Sequence, residues 1–237
     1  MAGCYGKIPT LGDFLSRNLQ ATFVEAWDGW LRRVMAVCVR AGGERWVDHY
    51  LSSPIWRFAI GPGIVGPAAK AGILVPSVDS VGRCFPLTVA VDVPEGLPLV
   101  DLATAWADGY ERAEIMAIGA LGRGLAPEAF VDRVAALPGP VCLPLPGEPS
   151  VESWGVPATA GFGVRTIGAP SEAGGARSLA STLALALISE SRDGMSLWWH
   201  LDWEDRPAAT AMFAGLPAPE AVASMLLGSL EDRGWTR

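Results

Sequence analysis

Four charged side chains lie in two short segments that are rich in glycine and proline. Lys7 and Asp13 belong to the first segment, and Asp79 and Arg83 belong to the second. Convergence of Lys7, Asp13 and Arg83 in one pocket would suit an enzyme, either a hydrolase or a phosphate-binding protein. The sequence therefore offers one catalytic hypothesis, a hydrolase with a site around Asp13, Asp79 and Arg83.

Asp79 and Arg83 also fit two interpretations without catalysis. Their segment joins two buried strands, and Asp79 can pair with Arg83 and accept hydrogen bonds from loop amides, while the five donors of arginine can tie several carbonyl groups together. The structural interpretation is a rigid loop fixed by this pair, and the functional one is a surface presented to a partner. We weigh the structural interpretation above the functional one and keep both open.

Other residue types that catalysis uses are sparse. The chain has two histidines, His49 and His200, and it has no Gly-x-Ser-x-Gly motif, so a histidine-assisted nucleophile has no local support. The cysteines and histidines are too dispersed for a zinc site, and we expect reduced thiols in or near the core. The cysteines are Cys4, Cys38, Cys84 and Cys142. We expect neither catalytic residues nor a bound metal.

The sequence GPGIVG at residues 61–66 matches the dinucleotide pattern Gly-x-Gly-x-x-Gly. That pattern binds a pyrophosphate only where a helix opens at it and supplies free amides. Pro62 removes one such amide, and the strand-like run after Pro67 argues against a helix. The pattern indicates a turn between strands, and we expect no cofactor.

Composition excludes several classes of partner. The chain has 237 residues, a net charge of -7 and 50% hydrophobic residues. An acidic chain without a cluster of Lys and Arg is poorly suited to bind nucleic acid. No apolar run is long enough to span a bilayer, and no apolar signal core follows the N-terminus. We expect a cytoplasmic protein that neither binds nucleic acid nor inserts into a membrane.

Apolar periodicity predicts the elements that position the charged segments. A helix is expected from Thr22, where Thr22 and Glu25 fit a capping box, and another over 101–120 with Asp101 as its N-cap. Nearly continuous apolar runs predict three strands that form an antiparallel meander. These strands are expected over 55–60, 69–75 and 85–93. The remaining predicted elements are a short strand over 4–8, a short helix over 46–51, helices over 128–136 and 178–189, strands over 197–203 and 210–214, and a last helix from Pro219.

Ten tryptophans are present, and most fall on predicted helix or strand faces, where they are expected in the core. Trp56, Trp154 and Trp198 could instead be exposed anchors of an interface, where tryptophan is favoured. Plain packing explains any single one better. Trp56 nevertheless stands with Lys7, Asp13, Asp79 and Arg83 as a candidate interaction residue.

Several motifs together resemble the TagF/ImpM family of type VI secretion accessory proteins. The similarity is close over residues 3 to about 93, thin through the middle of the chain, and present again near residue 196. The motifs are YGKIPTLGDF at 5–14, FVEAWDGWL at 23–31, YLSSPIWRF at 50–58, PSVDSVGRCFPLT at 76–88 and SLWW at 196–199.

The resemblance implies an α/β fold, an α-β-α sandwich around a mixed, largely antiparallel sheet. Residues 1–136 would form a TagF-like N-terminal region, 137–176 a Pro/Gly-rich linker with loops, and 177–237 a helix-strand-strand-helix part of the same domain. The family role implied is non-enzymatic, post-translational control of type VI secretion, usually repression. The implied partner is the forkhead-associated scaffold protein of that system.

Two other functions remain open beside this regulator: a structural component of the secretion apparatus and the hydrolase described above. The sequence does not distinguish repression from activation, and it leaves the oligomeric state and the binding surface open. The family has no established catalytic residues, so the resemblance implies none for this chain.

Overall fold

Seven strands form one sheet in the computed structural model, which describes residues 1–141, 194–204 and 206–228. The strand order is β2-β1-β5-β4-β3-β6-β7, and each pairing is antiparallel. The strands are β1 (Gly3–Gly6), β2 (Leu15–Arg17), β3 (Trp56–Ile60), β4 (Lys70–Val75), β5 (Leu87–Asp92), β6 (Met195–His200) and β7 (Ala209–Ala214). The antiparallel meander predicted for the three central strands is confirmed.

Helices cover both faces of this sheet. One layer contains α1, α2 and α6, and the other contains α3, α4 and α5. The helices of the described residues are α1 (Ala21–Ala41), α2 (Trp46–Leu51), α3 (Leu102–Ala105), α4 (Ala107–Leu121), α5 (Pro127–Ala135) and α6 (Pro219–Leu227). The α/β fold class is therefore confirmed, with helices packed on either side of an antiparallel sheet.

The layer under α1 is aromatic. Trp27 stacks parallel to Trp198 at 6.2 Å between ring centroids, and Phe58 lies between 5 and 6 Å from both rings. The Trp27 indole Nε1 donates a 2.8 Å hydrogen bond to the hydroxyl of Thr88, so its polar atom is satisfied in the core. The opposite layer is mainly aliphatic. Strands β3, β4 and β5 lie between the two cores, which explains their nearly continuous apolar sequence.

Two predicted helix starts differ from the structure. Helix α1 begins at Ala21 with Gln20 at its N-cap and no side-chain cap hydrogen bond, so the Thr22–Glu25 capping box is wrong. The helix expected over 101–120 is interrupted at Trp106; Asp101 stands at the predicted N-cap position of α3, but its side chain accepts no cap hydrogen bond. The Trp106 indole Nε1 donates a 2.7 Å hydrogen bond to the Pro138 carbonyl oxygen, and this partly buried contact accompanies the break between α3 and α4.

The last two strands join the sheet built by the first part of the chain. Strand β6 pairs with β3, with Ile60 opposite Ser196, and β7 pairs with β6 as the predicted hairpin. The helix expected over 178–189 and most of the segment 137–176 lie outside the described residues. Within the described residues, no helix is both long and apolar enough to cross a bilayer.

Candidate functional site

The loop that carries Asp79 is a tightened extension of the β4–β5 hairpin. The amide of Phe85 donates to the carbonyl of Ser77 at 2.9 Å, and the amide of Asp79 donates to the carbonyl of Arg83 at 3.1 Å. Gly82 adopts a φ of 84°, in the left-handed region that glycine enters without strain. The sequence between the strands therefore folds as a defined five-residue turn from Asp79 to Arg83.

The carboxylate of Asp79 organises this turn. Its Oδ1 accepts the amides of Val81 at 3.0 Å and Arg83 at 2.9 Å, and its Oδ2 accepts the Arg83 Nε at 2.6 Å. A short acidic side chain commonly satisfies loop amides in this way. The Asp79–Arg83 pair predicted from the sequence is thus present, and it closes the loop on itself.

Lys7 adds a second cation to the same carboxylate from another part of the chain. It follows directly after β1, and its Nζ donates to Asp79 Oδ2 at 2.8 Å with both side chains buried. Burial alone would raise the pKa of the Asp79 carboxyl, but the hydrogen bonds from Lys7, Arg83 and Val81 outweigh burial and hold that pKa well below its ordinary range. Asp79 is consequently an anion held in place by two cations.

Backbone contacts lock the two segments together. The guanidinium Nη2 of Arg83 donates to the carbonyl of Gly12 at 2.5 Å, and the amide of Ser80 donates to the carbonyl of Leu11 at 2.9 Å. The buried hydroxyl of Ser77 donates to the carbonyl of Lys7 at 2.6 Å. The segments identified in the sequence as separate motifs therefore form one structural unit.

Tyr50 is a member of this unit that the sequence reasoning missed. The tyrosine is fully buried, accepts the amide of Ser77 at 2.9 Å and donates to the carbonyl of Ser77 at 3.1 Å. Burial raises the pKa of the Tyr50 hydroxyl well above its ordinary value, so it remains a donor. The only signal in the sequence is its place in the motif at 50–58, since helical periodicity identifies it as a core residue and no more.

Asp13 and Trp56 take positions unlike those of the other candidates. Lys7 and Arg83 meet at Asp79, whereas the Asp13 side chain is exposed and has no hydrogen bond or ion pair to any described residue. Trp56 is 1% exposed in the aromatic layer and packs edge-on against His200 at 4.5 Å between ring centroids. An exposed interface anchor at Trp56 is therefore wrong, and plain packing explains this residue.

Phe14 is a second residue of the site that the sequence did not predict, although it belongs to the motif at 5–14. Its ring stacks on Tyr5 at 5.6 Å and meets Phe85 edge-on at 4.8 Å. The Lys7 Nζ lies 5.1 Å from the ring centroid, and the Arg32 Cζ lies 5.6 Å from it. Phe14 is thus held by ring and cation contacts while 37% of the residue remains exposed.

The chemistry available here is charge presentation rather than proton transfer. Four hydrogen bonds occupy the two oxygens of Asp79, which leaves little room for water or a metal ion. Among the described residues, no three His, Cys, Asp or Glu side chains come together as a metal-ligating group. The exposed residues of the site are Gly12, Asp13, Phe14, Ser80, Val81, Gly82 and Arg83.

Comparison with known proteins assigns this fold and this pair of motifs to a family. Residues 3–137 match the TagF N-terminal domain family, described as type VI secretion system-associated. The chain belongs to this family and is associated with type VI secretion.

A solved structure extends the likeness over the whole chain. The crystal structure of PA0076 from Pseudomonas aeruginosa PAO1 is 35% identical in sequence and superimposes with a TM-score of 0.75. The alignment covers 100% of this chain and 99% of PA0076. No functionally curated protein sequence shows a significant match.

Proposed function

We propose that this chain is a non-enzymatic, cytoplasmic regulator that represses type VI secretion after translation by contacting the forkhead-associated scaffold protein of that system. Membership of a type VI secretion-associated family supports the cellular process. A mechanism of protein contact is supported by the site, in which ion pairs hold an exposed loop in a fixed position.

The observation that carries the proposal is the saturation of Asp79. A general base needs a free oxygen within reach of a substrate proton, and a metal ligand needs an open lone pair. Lys7, Arg83 and the amide of Val81 occupy the oxygens of Asp79, and the depressed pKa of its carboxyl makes it a weak base. These bonds favour a positioning role for Asp79 over a hydrolytic one.

A deletion strain of the native host tests the regulatory role. We expect more secretion of type VI effectors into the medium than in the parent strain, with restoration of the lower level by the wild-type chain. The purified chain is also expected to bind the purified scaffold protein of the same host.

Unchanged secretion together with absent binding would contradict the proposal. Lost secretion would contradict repression and favour a structural component of the apparatus, which the machine requires in order to assemble. A hydrolase would instead require that Asp79→Asn abolish function while the variant chain still folds and still binds the scaffold protein.

A further inference from the structure

The exposed side of the site forms a small surface around the Phe14 ring, which we call the Phe14 face. Arg83 reaches the backbone of Gly12, two residues before Phe14, and Arg32 of helix α1 lies 5.6 Å from the ring centroid. The adjoining turn carries Val81, which is 70% exposed. The members of the Phe14 face are Asp13, Phe14, Arg32, Val81 and Arg83.

The apolar part of this face is preorganised. Phe14 packs on Tyr5 and Phe85, and Val81 lies in a turn whose amides are bonded to Asp79. Side chains that are ordered before binding lose little conformational entropy when a partner covers them. The exposed ring of Phe14 and the exposed Val81 are therefore suited to receive an apolar side chain.

The two arginines keep unused hydrogen-bond donors. Arg32 donates through Nε to Asp28, and Arg83 donates through Nε to Asp79 and through Nη2 to Gly12. Their side chains remain 61% and 60% exposed. A guanidinium has five N–H donors, so each arginine can still bind a carboxylate of a second molecule.

The charges of Asp79, Lys7 and Arg83 also favour recognition of a negatively charged group. One buried carboxylate, Asp79, meets two cations, Lys7 and Arg83, so this group carries one excess positive charge. Lys7 is buried, and the excess charge is displayed to solvent through Arg83. Asp13 adds an exposed negative charge to the same face, and Asp28 pairs with Arg32, so the positive excess is confined to Asp79, Lys7 and Arg83. The Phe14 face with its ion-pair partners is therefore close to neutral, whereas the whole chain carries a net charge of -7.

We propose that the Phe14 face binds an acidic segment of the partner protein, with carboxylates on Arg32 and Arg83 and an apolar side chain against Phe14. This inference rests on the proposed function, because it describes how the scaffold protein is recognised. Nucleic acid does not fit, since two arginines in an acidic chain neutralise few phosphates.

Isothermal titration of the purified chain with the purified scaffold protein tests the charge of the contact. Arg32→Ala is expected to weaken binding about tenfold, because a carboxylate of the partner loses its guanidinium. Arg40→Ala is the matched control: Arg40 is exposed in the last turn of the same helix and loses the same charge, and its dissociation constant should change less than about twofold.

Asp13→Asn tests the sign of the interaction. Asp13 is an exposed carboxylate within the Phe14 face, so it repels an acidic partner and its neutralisation should tighten binding about twofold. Binding of the wild type should also weaken as the salt concentration rises, because salt screens exposed charges. Thermal unfolding of each variant confirms that the chain remains folded.

The outcomes separate this inference from the proposed function. If the wild type fails to bind the scaffold protein, the proposed function and the inference both fall. If the wild type binds and Arg32→Ala behaves like Arg40→Ala, the inference alone is overturned and another surface contacts the scaffold. Weaker binding of Asp13→Asn would also overturn it, because the partner would then be basic at this position.

Discussion

Two buried ionic groups, one among loops and one between a strand and a helix, serve different purposes in this fold. At the loops, Asp79 joins Lys7 to Arg83, and Arg83 extends into solvent. Beneath α4, Arg57 of β3 makes a bidentate pair with Glu114, at 2.6 and 2.9 Å, and both side chains are mostly buried. The first group fixes irregular backbone, whereas the second fixes elements that already have their own hydrogen bonds.

The difference shows how this molecule builds a surface from loops. Arg57 is bonded to Glu114 through two nitrogens and lies 5.5 Å from the Tyr110 ring, so little of it can reach a partner. Asp79 instead binds two backbone amides and leaves Arg83 at the surface. An ionic group that replaces missing regular structure can hold a loop rigid and still expose one of its charges.

Replacement of Asp79 should give the largest effect of the variants that test this comparison. Asp79→Ala leaves the buried Lys7 without its counter-charge and leaves the amides of Val81 and Arg83 without an acceptor. We expect the largest fall in the free energy of unfolding, measured by urea denaturation, and faster proteolysis of the 77–85 loop. Intact protease resistance of that loop would contradict its dependence on the carboxylate.

Replacement of Glu114 should give the next largest effect. Glu114→Ala leaves the guanidinium of Arg57 buried without a partner, which costs about 3 kcal/mol of folding free energy. The loop around Asp79 should keep its protection from amide exchange, because its bonds do not involve α4. Loss of protection at both sites would show that the two groups are coupled rather than independent.

The pH dependence of the free energy of unfolding should show a smaller effect than either replacement by alanine. The wild type should lose stability below pH 4 that a variant with a neutral residue at position 79 does not lose. The pKa of Asp79 is lower in the folded chain than the value of about 4 for an unfolded aspartate. Its contribution is therefore complete above about pH 4 and is lost as the pH falls toward the folded pKa. The difference in stability between the wild type and Asp79→Asn, measured by urea unfolding, should narrow from pH 6 to pH 3. A constant difference would contradict an ionised Asp79.

Sequence patterns predicted the regular parts of the fold well, because apolar residues recur over long stretches at the spacing of a helix or a strand. The three-strand meander and the 195–214 hairpin were predicted to within a few residues. Strand β2 was missed, since it has three residues and only Leu15 is buried. The break at Trp106 was also missed, because it coincides with a contact to Pro138 that local periodicity does not contain.

The sequence identified three charged residues of the site, Lys7, Asp79 and Arg83, but not all of the contacts between them. The Asp79–Arg83 pair followed from loop chemistry, since the residues are four apart. Lys7 is far away in sequence, so its bond to Asp79 depends on the pairing of β1 with β5. Trp56 was kept as a possible exposed anchor beside plain packing, because an anchor and a core residue are both large and apolar; the structure buries it against His200.

The position of β6 beside β3 also constrains how the chain can fold during synthesis. The family match ends at residue 137, yet Ile60 is paired with Ser196, and Trp198 packs against Trp27 and Phe58. A ribosome therefore releases five of the seven strands before β3 has a partner on its second edge. Such long-range pairing must await the C-terminal strands, and the incomplete sheet exposes aromatic side chains until they emerge.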